Sequence, residues 1–128
     1  MNVSVLVKTP KNQNQIKGFE VINADTTKDI NKEIENSKSE YILSVNDIDS
    51  IKTDFIERGI EVLKSNPEIG IVYENEENSD KNGLPYTMLF RREDFLNAGK
   101  YKTHLSDGCE DFDFWITIAE QGFESFKI

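Results

Sequence analysis

Hydrophobic positions fall into short runs separated by polar stretches, and their period changes along the chain. Val3 to Val7 (Val-Ser-Val-Leu-Val) is a β-branched run closed by Thr9, Pro10 and the polar stretch Lys11 to Gln15. It predicts a buried strand followed by a loop. Phe19 to Asn23 repeats the pattern. Thr26 to Ser37 carries Ile30 and Ile34 one turn apart among Lys, Glu and Asn, which predicts a surface helix with a narrow apolar stripe, capped by Thr26 or Thr27. Tyr41 to Val45 predicts a third strand, and it runs directly into Asn46-Asp47-Ile48-Asp49-Ser50. An acidic cluster is therefore expected at a strand end.

From Asp54 the period becomes helical: Phe55, Ile56, Ile60 and Leu63 share a face, Asp54 with Glu57 forms a capping-box pattern, and Asn66-Pro67 stops the helix. Ile69 to Tyr73 predicts a fourth strand, Glu74 to Gly83 an exposed polar loop, and Tyr86 to Phe90 a fifth strand. Arg92 to Ala98 and Glu110 to Gln121 predict two helices, each followed by a glycine, Gly99 and Gly122, at the left-handed cap position. Phe112, Trp115 and Ala119 share a face of the second and are expected in the core. Phe123 to Ile128 predicts a last strand. Strands alternating with helices, without repeats or low-complexity segments, imply one α/β sandwich over residues 1–128 with a largely parallel sheet, and ligands bind such sheets beyond the carboxyl ends of the strands. The cluster Asn46 to Asp49 is expected at such an end.

Composition narrows the chemistry. No apolar run approaches the roughly 20 residues of a membrane helix, and Met1 to Thr9 is too short and polar for a signal peptide. No membrane span and a cytoplasmic location are expected. Cys109 is the single cysteine, so a disulfide within the chain and a cysteine-based zinc site are excluded, and any metal must use oxygen ligands. Cys109 itself is expected to pack as a small apolar residue. Twenty-four acidic against fifteen basic residues give a net charge of -9, which argues against nucleic acid as a partner. An anionic ligand needs help from a cation.

Six segments, in order, resemble the family-2 glycosyltransferases of GT-A fold: Tyr41-Ile-Leu-Ser-Val-Asn-Asp-Ile-Asp49, Asp54-Phe-Ile-Glu57, Asn66-Pro-Glu-Ile-Gly-Ile-Val-Tyr73, Met88-Leu-Phe-Arg-Arg-Glu-Asp-Phe95, Ala98-Gly-Lys-Tyr101 and Gly108-Cys-Glu-Asp-Phe-Asp-Phe-Trp115. The resemblance implies a shortened GT-A (nucleotide-diphospho-sugar transferase-like) α/β/α sandwich with a mostly parallel mixed sheet. It further implies transfer of a sugar from a nucleotide-diphosphate donor to an acceptor hydroxyl, with inversion and with Mg²⁺ or Mn²⁺.

Glu110-Asp111-Phe112-Asp113-Phe114-Trp115 looks like the family's Glu-Asp-x-Asp-x-Trp motif, which makes Asp111 the implied general base, with Glu110 beside it. An alcohol is a weak nucleophile until its proton is taken, and positioned proton transfer is worth about 10²- to 10⁴-fold. The alternative for this pair is plain complementation of the helix dipole. The resemblance implies metal ligation by Asp49, Asp47 and Asn46, and donor binding by Thr9, Asp25 and Asp47. The chain departs from the family at three places. The family's Asp-x-Asp falls on Asn46 and Ile48, Lys8 stands where proline is usual, and between Val7 and Tyr41 there is room for only one strand and one helix. Asp25 therefore follows either the family's second strand or its third. Solvated aspartates in a strand-end turn are the alternative at Asn46 to Asp49. Arg91-Arg92 matches a basic pair of the family, for which phosphate contact and simple pairing both stay open. His104 is read as a surface residue. A second function class is a non-catalytic descendant, a binding or self-assembly module whose partner is another copy. It predicts an exposed apolar surface where the missing first helix would lie.

Overall fold

The computed structural model describes residues 2–7, 18–46, 51–74, 85 and 87–128. The inner strands form where the chain is apolar toward both sides. β1 (Val3–Val7) and β3 (Tyr41–Val45) are buried at every residue, as expected of strands covered on both faces. With β2 (Glu20–Ile22), β4 (Ile69–Tyr73), β5 (Met88–Arg91) and β6 (Glu124–Lys127) they make one six-stranded sheet in the order β2-β1-β3-β5-β4-β6. β1 pairs in parallel with β2 and β3, and β4 with β6, while β5 runs against both of its neighbours. The expected mixed, mostly parallel sheet is present.

Four helices cover it: α1 (Thr27–Asn36), α2 (Thr53–Ser65), α3 (Arg92–Asn97) and α4 (Cys109–Glu120). Phe55, Ile56 and Leu63 of α2 pack on Val3, Val5, Leu43, Val72 and Leu89 on one face. Ile34, Phe95, Phe114 and Ile118, from α1, α3 and α4, pack on Leu6, Ile42, Ile71 and Phe90 on the other. Strand residues of alternate parity feed the two halves of the core, as the two-residue period of a strand requires.

Local signals were followed in most places. Thr26 caps α1, its hydroxyl accepting the Asp29 N–H at 3.1 Å, and Gly99 and Gly122 both take positive φ after their helices. Three expectations need correction. The Asp54–Glu57 capping box does not form, because the N-cap lies two residues earlier, at Lys52, with no side-chain cap. On α4 the buried apolar positions are Phe114 and Ile118, and Phe112 is 43% exposed. Aromatic and aliphatic residues spread over more than half of this helix's circumference, so periodicity does not fix its phase; packing against Phe90, Phe95 and Tyr101 does. Cys109, at the start of the same helix, is exposed instead of packed.

Arg91 and Arg92 have a structural role. Arg91 ends β5 and Arg92 opens α3, and their side chains reach opposite faces of the sheet. Arg91 donates to Leu63 O (2.5 Å), Asn66 O (3.1 Å) and Ile69 O (2.7 Å), and pairs with Asp94 at 2.8 Å. It thereby satisfies orphan carbonyls at the end of α2. Arg92 donates to Ile34 O (2.9 Å) and to Glu35 O, doing the same for α1. Arg91 is paired with Tyr41, the first residue of β3, so both arginines sit at the amino ends of the parallel strands. Phosphate contact beyond the carboxyl ends is thereby excluded for them.

Gly70 marks a close approach: a Cβ there would stand 2.9 Å from Ile118 Cγ2 and from Cβ and Cγ of Phe123. Two outcomes are expected in urea denaturation. Arg91→Ala lowers stability by about 2–4 kcal/mol, because it leaves part-buried carbonyls unpaired, and Arg91→Lys recovers little without the planar fork. Gly70→Ala costs about 1–3 kcal/mol through overpacking.

Candidate functional site

The carboxyl ends of β1, β2 and β3 open into a cleft of about 520 Å³. Val7 ends β1 there. Asp25 follows β2, Asn46 follows β3, and Glu110 and Asp111 enter from the first turn of α4. Three segments distant in sequence thus bring Asp25, Asn46, Glu110 and Asp111 to one cleft. β2 pairs directly with β1, so Asp25 follows the strand next to β1, as a second strand would place it. Thr9, Asp47 and Asp49 lie outside the described residues, as does the expected loop Glu74 to Gly83 apart from Glu74.

Backbone geometry turns the acidic pair inward. Gly108 holds φ 91° at the N-cap of α4 and offers no side chain to cap it. The Glu110 carboxylate accepts the Gly108 N–H at 3.3 Å, and an acid in the first turn is favoured by the helix dipole. Glu110 and Asp111 are each only 6% exposed.

Asp111 is held from beneath. The Tyr101 hydroxyl donates to Asp111 Oδ1 at 2.5 Å. The Tyr101 ring is buried between Phe95 (centroids 4.9 Å, 84°) and Phe114 (5.9 Å, 88°), edge-on to both. Burial, then the Asp111 charge and hydrogen bond, then the Glu110 charge keep the Tyr101 phenol well above its ordinary range. The group remains a proton donor at neutral pH. The Tyr101 backbone is itself clasped by Asn31 of α1, which donates to Tyr101 O at 2.7 Å and accepts the Tyr101 N–H at 3.0 Å. Four residues on, the Thr27 hydroxyl donates to Leu105 O at 2.7 Å. The loop leading into α4 is therefore fastened to α1.

Sequence reasoning missed these supports. Tyr101 was visible only as part of Ala98-Gly-Lys-Tyr101. Asn31 carried a readable signal, a polar residue beside the Ile30 and Ile34 stripe. His104, exposed in the same loop, is the surface residue expected.

The electrostatics of the cleft are one-sided. Its described lining holds four carboxylates (Asp25, Asp107, Glu110 and Asp111) and neither Lys nor Arg. Among the described residues no three His, Cys, Asp or Glu side chains gather as a metal site. Asn46 supplies one neutral hard oxygen donor, compatible with Mg²⁺ or Mn²⁺, and the acids that follow it are not among the described residues. Among the described residues β1 leaves no apolar surface open, since Val3 and Val5 are 0% exposed and Val7 4%. Phe19, Val21 and the α2 side chains pack against that cluster. Large exposed apolar side chains among the described residues are instead Phe112 and Ile116 on α4 and Phe126 on β6. No helix among the described residues is long and apolar enough to cross a membrane.

No family model matches the sequence, and no curated protein matches it. Among solved structures the fold is similar to the catalytic domain of Drosophila beta1,4-galactosyltransferase 7, determined as a complex with xylobiose. The TM-score is 0.56 at 13% identity, over 98% of this chain and 63% of that one. The chain thus spans less than two thirds of that domain, and the likeness is one of fold: a GT-A-like mixed α/β sandwich of the kind found in a glycosyltransferase catalytic domain.

Proposed function

We propose that this chain is a family-2 type glycosyltransferase, moving a sugar from a nucleotide-diphosphate donor to an acceptor hydroxyl with inversion. One observation carries the reading: Asp25, Asn46, Glu110 and Asp111, from three separated segments, line a single cleft at the carboxyl ends of β1 to β3. An α/β sheet presents its ligand site at that end.

On this reading the acceptor hydroxyl lies against Asp111. The carboxylate takes the hydroxyl proton while the oxygen bonds to the anomeric carbon. The bond from that carbon to the diphosphate oxygen breaks, and its electron pair leaves with the nucleoside diphosphate. Attack opposite the leaving group inverts the centre. Glu110, holding the Gly108 N–H, keeps the start of α4 in place during the step. Asp25 meets the donor's ribose or base, with Thr9 and Asp47 as further donor contacts.

A nucleotide diphosphate meets like charge on these walls, so the reading includes a divalent cation held by Asn46 with Asp47 and Asp49. When bound, Mg²⁺ or Mn²⁺ neutralises the diphosphate. The acceptor and donor sugar are defined by the panel that tests them.

Isothermal titration with a panel of nucleotide sugars is expected to show binding with Mn²⁺ present and loss of it with EDTA. Absence of binding together with absence of donor hydrolysis overturns the reading. Asp111→Asn is expected to lower transfer by about 10²- to 10⁴-fold while donor affinity stays within a few-fold. Donor binding without turnover in the wild type, unaltered by Asp111→Asn, identifies a non-catalytic binding module instead.

A further inference from the structure

We infer that Tyr101 is a positioning residue for Asp111, and that Asn31 sets Tyr101 in turn, so that the orientation of the acidic group in the cleft is decided from α1. This rests on the transferase reading above for its consequence, and on geometry for its existence. The hydroxyl reaches Asp111 Oδ1 at 2.5 Å, while the ring is buried with Phe95 and Phe114 packed edge-on against it. Its backbone is fixed at both polar atoms by one side-chain amide, Asn31, 70 residues away in sequence. A carboxylate accepting a short hydrogen bond from a fixed donor loses freedom about its own torsions.

Proton abstraction gains most when base and hydroxyl are held in one geometry. A base free to rotate still binds in the cleft but spends less time aimed at the acceptor. Tyr101 does not take up the proton itself, because burial and the neighbouring acids disfavour its ionised form. Among the charged groups acting on it are Asp111 and Glu110, both on α4. From α1 it receives the neutral Asn31 amide, and from α3 the apolar Phe95 ring.

Two measurements test the inference. The first needs no activity: with ¹³Cζ-labelled tyrosine, Tyr101 is expected to ionise above the other tyrosines, and Asp111→Asn is expected to lower its midpoint. An unchanged midpoint in a folded Asp111→Asn variant overturns the inference, whatever the protein catalyses. The second is kinetic. Tyr101→Phe keeps the ring and removes one oxygen, and it is expected to reduce kcat roughly 10- to 100-fold with the donor KM unchanged. An unaltered kcat, or a loss confined to KM, overturns the inference. A wild type that shows the Tyr101–Asp111 coupling but transfers no sugar removes the catalytic consequence and the transferase reading together. It locates the failure in that reading, with the contact itself intact.

Discussion

Two hydrogen bonds between the Asn31 amide and the Tyr101 backbone join the halves of this molecule. They are buried, they satisfy donor and acceptor alike, and they link α1 to the segment that leads into α4. A half-satisfied amide in that position would cost about 1–3 kcal/mol, so the clasp favours one placement of the loop over its neighbours. Thr27 adds a second fastening on the same helix. Without this pairing, nothing in the strand order alone would carry the first turn of α4 over the ends of β1 and β3.

The sheet itself was legible in the sequence because its strands are covered on both sides. Val3 to Val7, Tyr41 to Val45 and Ile69 to Tyr73 read as continuous apolar runs, and the observed strands coincide with them. The α2 face was legible for a similar reason, since Phe55, Ile56 and Leu63 recur at helical spacing. The phase of α4 was not. Phe112, Phe114, Trp115, Ile116 and Ile118 spread over more than half of that helix, and the tertiary ring cluster selects which of them is buried. The roles of Arg91 and Arg92 were hidden for a topological reason. Their meaning depends on β5 running against β3 and β4, which no local pattern announces.

The candidate site was legible in parts. Asp25, Asn46, Glu110 and Asp111 were read from strand ends and a helix start, and they do share a cleft. The supports behind them were not read, because Tyr101 and Asn31 act through hydrogen bonds that sequence spacing cannot encode. The acidity of the cleft, by contrast, follows from a chain with 24 acidic and 15 basic residues. Two lysines of the loop before α4 are paired outside the cleft: Lys102 with Asp113 at 2.8 Å and Lys100 with Glu35 at 3.0 Å.

The arginine pair at the end of β5 has an effect on how the chain finds its pairing. Adjacent guanidinium groups serve helices on opposite sides of the sheet, Arg91 toward α2 and Arg92 toward α1. Sliding β5 by a single residue in either direction would put one arginine in the other's place, so that one helix end keeps a guanidinium and the other loses it. The central strand is thereby proofread by two helices at once, and misaligned forms of the sheet are penalised before any ligand arrives.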